Sequence, residues 1–518
     1  MNTVSESRSE LTAAANFEAL QKKLAPLWRT MNSSNYDPHT VVVVPSVSFD
    51  KGVLDHLQGV QHYEERFLIL LMLLRHPTAR LIYVTSEPIL PSVVDYYLHL
   101  LPGVIPSQAR RRLFLVSTLD GTVRPLTEKL LERPRLIERL RQLVQDPDRA
   151  YLVPFNTTEL ERELALRLDI PIYGADPKFR RFGTKSGSRK LFEQAGVPHP
   201  AGYGDLTSME EVAGAISKLR SGKPSIEKVL VKTNEGVSGF GNVIVDLKGF
   251  SHAGHPRELV EVEQSLRREL PGELYEQYNR RLEGGGGIVE ERISGELVRS
   301  PSAQILITPL GEVQVLSTHD QLLGGPGGQS YLGCRFPADT AYAVTITTEA
   351  QKVGELLSKE GVVGRAAIDF VVVASDHGWE AYAIELNLRQ GGTTHPFLTL
   401  QFLTDGRYVP EEAVFIAPNG RRKFFVASDH VESPLYRGFT PDDLFDMAVR
   451  HRLHFDHAQQ TGVVFHMMSG LPELGRTGLT AVADSPQEAE WIYDRVVNLL
   501  DAQAQDSFQQ REPFGAEE

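Results

Sequence analysis

AAIDFVVVASDHGWEAYAIELN, residues 366–387, is where fold and chemistry meet in this chain. AAIDFVVV and WEAYAIELN are rich in β-branched and aromatic residues, and Ser375–Gly378 between them supplies turn chemistry. The pattern predicts an antiparallel hairpin. Glu385 and Asn387 are two apart on one strand, so they project from the same face. The turn carries Asp369 opposite Glu385, to within about one residue of register. Carboxylates in otherwise apolar strands are costly when unpaired. A hard cation would relieve that cost, and Mg²⁺ is held by one or two carboxylates plus phosphate and water. Taken alone, the same residues read equally well as edge-strand carboxylates facing water.

Two further hairpins precede it. VLVK (Val229–Lys232) and NVIVDL (Asn242–Leu247) flank the loop NEGVSGFG, with Gly236, Ser238, Gly239, Phe240 and Gly241. Successive glycines let backbone N–H groups approach phosphate oxygens. A strand follows this loop, so it is not a dinucleotide-binding turn. Lys232 precedes the loop, unlike the lysine of protein kinases, and no GK[ST] motif occurs. A plain flexible hairpin with a surface lysine is the competing reading. QILIT and EVQVL form the second pair around Pro309–Gly311. HDQLLGGPGGQSYLGC (His319–Cys334) reads as a binding loop near the third hairpin, or as a mobile surface loop. It nominates Gln321, Gln329 and Arg335 for substrate contact. His395, following NLRQGGTT, is a candidate for the acceptor site.

Working outward, the first ~170 residues alternate strand-like and helix-like stretches, as a parallel, doubly wound α/β sheet requires. Val41–Val44, Leu81–Ser86, Leu113–Ser117 and Tyr151–Phe155 are the strands. The apolar run Phe67–Leu74 is too short to cross a membrane and reads as a buried helix. HYEER (His62–Arg66) reads as a buried ion-pair network beside it. From about Tyr173 the pattern becomes α+β. Thr184–Gly196 reads as a helix stopped by Gly196 and Pro198, and Gly284–Gly287 as a turn. Near the end, Phe439–His451 and Ser485–Leu500 read as capped helices. The boundaries expected are 1–40 as a helical or disordered extension and 41–172 as an α/β domain. An α+β domain covers 173–410, a C-terminal α+β region 411–502, and a disordered tail 503–518.

The net charge of −13 argues against nucleic-acid or anionic-membrane binding. Cys334 is the only cysteine, so no internal disulfide forms, and the cytoplasm is the expected location. The first sixteen residues do not read as a signal peptide. A lone thiol with no paired histidine reads as structural. His451, His454 and His457 read as core or solvated histidines rather than a metal cluster.

In this order the parts resemble the ATP-grasp superfamily. Lys185 opens a helix ending in Gly196-Val197-Pro198, and Lys232 ends the strand before the Gly-rich flap. Val289, Glu290, Glu291 and Ile293 match the adenine-lining strand, and Gly295-Glu296 the ribose contact. Asp369, Glu385 and Asn387 match the metal site, with Asp369 where glutamate is commoner, and Arg389 follows two residues on. SVSFD (Ser46–Asp50), YVTSEPI (Tyr83–Ile89), LTEKLLERPRLI (Leu126–Ile137) and HDQLLGGPGGQSYLGCRFPA (His319–Ala338) resemble the pheganomycin-type peptide ligases. The resemblance implies a Rossmann-like pre-ATP-grasp domain followed by an ATP-grasp fold with a lid over about 225–300. It implies ATP with Mg²⁺, or Mn²⁺ in its place, and a carboxylic acid joined to an amino acid or peptide through an acyl phosphate. Lys185, Lys232 and the flap would hold phosphates, Arg389 would steady the transferred group, and the fold is compatible with a homodimer. An ATP-grasp kinase acting on a hydroxyl and a non-catalytic nucleotide-binding module are the alternatives.

Overall fold

The computed structural model describes residues 2–31, 37–236, 241–255, 257–324, 328 and 330–509. Four strands, β1 (His39–Val44), β2 (Ala79–Thr85), β3 (Leu113–Ser117) and β4 (Ala150–Pro154), form a sheet in the order β3-β2-β1-β4. All its pairings are parallel, as the alternation of strands and helices predicts. Val41 and Val43 pack into one core, while Val42 and Val44 pack into a second on the opposite face. A sheet covered on both faces needs an unbroken β-branched run, which explains VVVV. Helices Asn2–Gln21 and Leu24–Met31 precede this sheet. Phe17 and Leu20 seat in the second core, and the Gln21 amide exchanges hydrogen bonds of 2.7 and 3.0 Å with the Ile172 backbone.

The apolar run Phe67–Leu74 is buried as expected, but it winds as a 3₁₀ helix over Val60–Arg75. Its backbone bonds close from i to i+3 instead of i to i+4, a tighter winding that periodicity of side chains alone does not reveal. Its first turns hold the HYEER charges. Ser86 donates through N and Oγ to Glu64 at 2.6 Å, Ser469 N donates to Glu65 at 3.2 Å, and Arg66 pairs with Asp429 at 3.1 Å. These buried bonds tie the first sheet to the last hundred residues.

The helix Lys185–Ala195 begins where Thr184 Oγ1 accepts from Gly187 N and ends at left-handed Gly196. It leads to β5 (Gly202–Leu206), β6 (Lys228–Thr233), β7 (Asn242–Asp246) and β8 (Gly287–Glu291), an antiparallel sheet ordered β5-β8-β6-β7. This sheet and its helices Met209–Gly222, Glu258–Glu269 and Glu273–Gly285 enclose a core of their own. Gly284 and Gly285 belong to the last helical turn, and the reversal falls on Gly286 at φ +75°. The glycine run is therefore a helix end rather than a free turn.

The remaining strands are β9 (Val298–Arg299), β10 (Pro301–Ile307), β11 (Val313–Gly324), β12 (Ser330–Phe336), β13 (Gly364–Ser375), β14 (Gly378–Asn387), β15 (Arg407–Val409), β16 (Val414–Ile416), β17 (Phe424–Glu432), β18 (Gly462–His466) and β19 (Arg476–Ala483). Apart from the β15–β16 pair they share one sheet, ordered β14-β13-β10-β11-β12-β17-β19-β18 with β9 on β13. The stretch His319–Cys334 is mostly strand, since β11 and β12 pair through it. The ladder pairs Gln321 with Cys334 and Asp320 with Arg335, so these parts of the expected loop are strand, while residues 325–327 and 329 lie outside the described residues. The final helix covers Pro486–Gln509 and so passes Gln503, where disorder was expected. The inward stripe Ala489, Ile492, Val496 and Leu500 continues to buried Ala504, which keeps the helix docked. No helix among the described residues is long and apolar enough to cross a membrane.

Candidate active site

Ser375 pairs with Gly378, and a regular ladder from that turn would set Asp369 against Ile384. A bulge between Phe370–Ala383 and Asp369–Glu385 absorbs Ile384 and sets Glu385 opposite Asp369 instead. Directly paired residues share a face, so the two carboxylates meet on one side of the sheet. Half-buried Asp369 accepts from Gln321 Nε2 at 2.7 Å and from Asn387 Nδ2 at 2.9 Å. Burial, then the charge of Glu385, push its carboxyl up to about 6, against the pull of Gln321, Arg389 and Asn387.

Arg389 Nη2 donates to Asn387 Oδ1 at 2.8 Å, and its guanidinium lies 5.4 Å from the Phe49 ring centre and 5.6 Å from that of Phe155. Burial lowers the Arg389 pKa, while Glu385 and Asp369 oppose that shift. Gln390 fixes the loop: its N donates to Phe155 O at 3.1 Å and its Nε2 to Pro154 O at 2.7 Å. Phe155 follows the carboxyl end of β4, and Phe49 lies beyond that of β1. The site therefore lies where the hairpin meets the carboxyl ends of parallel strands, the usual ligand position in such sheets.

Lys185 closes the other side. Buried at its helix start, it sits 3.5 Å from Glu385 Oε1 and donates to Gly236 O at 2.7 Å. It thus touches hairpin and flap together. Lys232 is paired with Glu290, whose second oxygen lies 3.5 Å from Arg189 Nη1. Glu291 accepts from Ala201 N at 2.9 Å and pairs with Lys223. Ile293 is half-buried and Glu296 is exposed in the segment that follows. Gly241 O accepts from Tyr278 Oη at 2.8 Å, while Ser238, Gly239, Phe240 and Gln329 lie outside the described residues.

Gln321 lies in the site, but Arg335 is paired with Glu490 of the last helix on an exposed surface. His395 is buried against His466 and Asp429 rather than beside the hairpin carboxylates. Among the described residues, that trio is the only place where three His, Cys, Asp or Glu side chains bring ligand atoms together, and His451, His454 and His457 do not form such a group. Sequence reading missed Arg189, Gln390, Phe49 and Phe155. Arg189 was findable, because four residues on from Lys185 it shares a helix face. The other three need the first sheet's position, which no local pattern carries.

Two carboxylates with amide oxygens nearby form an all-oxygen donor set that suits Mg²⁺. Burial and the neighbouring Glu385 charge raise the Asp369 carboxyl, and a bound cation would favour its ionised form. Asn387 Oδ1 has a second lone pair beyond the one Arg389 uses. Cys334 is different in kind. It is fully buried, and burial pushes its thiol up to about 12, so it is no nucleophile. The folded protein is expected to resist iodoacetamide at mildly alkaline pH while the unfolded chain is alkylated. Rapid labelling of the folded protein would contradict that placement.

Comparison with known proteins agrees with this geometry. A family model described as IQCH-like, ATP-grasp matches residues 178–268 and 272–408, and one described as PGM1 C-terminal domain matches 443–496. The chain is 32% identical over 470 residues to L-propargylglycine–L-glutamate ligase of Streptantibioticus cattleyicolor, across 89% of this chain and 94% of that one. It is 24% identical over 428 residues to IQ motif-containing protein H of Danio rerio, spanning 73% of this chain but 40% of that protein. In fold it is similar to biotin carboxylase from Campylobacter jejuni, solved as a β-γ-ATP complex, with a TM-score of 0.54 at 13% identity over 91% of this chain and 96% of that one. N5-carboxyaminoimidazole ribonucleotide synthetase, solved with ADP, gives 0.51 at 12% identity over 90% and 98%. The chain belongs to the ATP-grasp family, among the pheganomycin-type peptide ligases, and is an ATP-dependent enzyme that forms carbon–nitrogen bonds.

Proposed function

We propose that the enzyme phosphorylates the carboxylate of one substrate and passes the acyl group to the amine of an amino acid or peptide. The pairing of Asp369 with Glu385, beside Lys185 and Arg389, carries the reading. Asp369, Glu385 and Asn387 would hold Mg²⁺, with Mn²⁺ as a substitute. Bound there with ATP, the ion supplies charge neutralisation at the phosphates. Lys185 would face the phosphates once they displace it from Gly236 O. Lys232, steadied by Glu290, stands at the start of the flap for the same task. We assign residues about 225–300 as the lid, which is supported by the core that its sheet and helices enclose. Closure over the site would exclude water from the acyl phosphate.

The substrate carboxylate attacks the γ-phosphorus and ADP leaves. Arg389, held by Asn387 and lying against the Phe49 and Phe155 rings, stabilises the charge on the transferred group. The amine then attacks the acyl carbon and phosphate departs. Positioning and electrostatics suffice, so no side-chain nucleophile is required. Amino acids are the first substrates to try, since the ligase relative is named for two of them.

The test replaces the amine with hydroxylamine in a screen of carboxylic acids. The expected outcome is a hydroxamate of the true acid, formed with equimolar ADP and phosphate. Release of AMP, or a stable phosphate ester with no amine requirement, would show a different reaction.

A further inference from the structure

We infer that His395, Asp429 and His466 form a second metal site, separate from the ATP centre, for one divalent transition-metal ion of the zinc class. His395 opens the helix Thr394–Thr404, Asp429 lies on β17, and His466 ends β18. These elements are distant in sequence, yet one atom from each converges. His466 Nε2 is 2.7 Å from Asp429 Oδ1, His395 Nε2 is 3.1 Å from the same oxygen, and the two nitrogens are 3.0 Å apart. All three residues are at most 3% exposed.

Hydrogen bonding alone serves this triangle poorly. Each Nε2 carries at most one proton, and a proton aimed at Asp429 cannot also lie between the two nitrogens. If both rings donate to Asp429, two N–H groups face each other at 3.0 Å. A cation at the centre satisfies all three atoms at once. Tetrahedral zinc with bonds of about 2.0–2.1 Å sets its ligands about 3.3 Å apart, so the three separations need to widen by roughly 0.2–0.6 Å. Neutral imidazole and ionised carboxylate are the forms that bind such an ion, so binding should release any proton the trio holds.

The surroundings fit the same role. Arg66 Nη1 donates to Asp429 Oδ2 at 3.1 Å, which orients Oδ1 toward the rings as outer partners of metal ligands do. Two imidazoles and one carboxylate favour zinc-like ions over Mg²⁺. Three protein ligands leave a fourth position for water. An ion here would clamp the helix that follows the Arg389 loop to the C-terminal strands. It would also reach that loop through Arg66, which shares the Phe155 ring with Arg389. The site would thus serve as a positioning device for the catalytic loop.

The experiment strips the whole protein with a chelator, then titrates it with Zn²⁺ and with Co²⁺ while following metal content and the cobalt visible spectrum. One equivalent per chain and a tetrahedral cobalt spectrum are expected. Both should be lost in His395→Ala and His466→Gln and kept in Glu385→Gln, which separates this site from the ATP centre. An X-ray absorption spectrum of the zinc-loaded wild type gives a readout that does not depend on the variants folding, and should show two imidazoles with oxygen. No bound metal in the wild type, full binding in His395→Ala, or a spectrum without imidazole would overturn the inference.

Discussion

Glu385→Ala is expected to slow ATP-dependent amide formation by about 10³-fold or more, a loss of about 4 kcal/mol of transition-state stabilisation. Glu385 sits opposite Asp369, 3.5 Å from Lys185, so its carboxylate is central to the proposed cation site. The same change should shift the thermal midpoint by only a few degrees. The Glu385 side chain is 24% exposed, and water can reach the space it leaves. Its removal also relieves the repulsion that helps raise the Asp369 carboxyl. ADP release measured beside thermal unfolding separates the two effects. A variant that keeps wild-type turnover would remove Glu385 from the site, and one that unfolds would make its role structural.

The hairpin behind this prediction was legible because three local signals agreed. β-Branched runs marked both strands, Ser375–Gly378 marked the turn, and the period of two put Glu385 and Asn387 on one face. The register was legible only to within a residue. Nothing in AYAIEL marks Ile384 as the bulge, yet without it Asp369 would face Ile384 instead of Glu385. The partners drawn from far away in sequence were less accessible. Gln321 emerged from its amide-rich surroundings, but Gln390 and the two phenylalanines depend on how the first sheet docks. His395 is a different case. Its nearness to Arg389 in sequence suggested the acceptor site, while the helix it opens carries the ring to His466 and Asp429.

Glu290→Ala carries the second large effect, and here the loss is in stability. The sequence pattern offered Glu290 as an adenine neighbour. The structure places its carboxylate between Lys232 and Arg189, with the three side chains 1%, 8% and 10% exposed respectively. Alanine at 290 would leave two buried cations facing each other with no counter-charge. Breaking a buried pair in this way costs about 3–5 kcal/mol, because the unmatched charge keeps its desolvation penalty. The loss should fall on the sheet of β5 to β8, whose core is separate from the main one. Urea unfolding followed by hydrogen exchange in residues 228–233 and 287–291 would locate it. Glu290→Gln should be milder, since the amide oxygen still accepts a hydrogen bond from one cation. Equal stability of wild type and alanine variant would mean that the pair contributes nothing net.

Nucleotide affinity should fall along with that stability, because Glu290 holds Lys232 at the mouth of the flap. The joint effect distinguishes Glu290 from Glu385, where activity falls and the fold persists. Each charged residue thus has its own signature, set by whether its partners are protein groups or a bound ligand.

The most direct test of the ATP-grasp centre is a crystal structure with Mg²⁺ and a non-hydrolysable ATP analogue. An ion about 2.1 Å from carboxylate oxygens of Asp369 and Glu385 is expected. Lys185 should have turned from Gly236 O to the phosphates. An ion held by other residues, or a triphosphate remote from Lys185 and Arg389, would contradict that assignment.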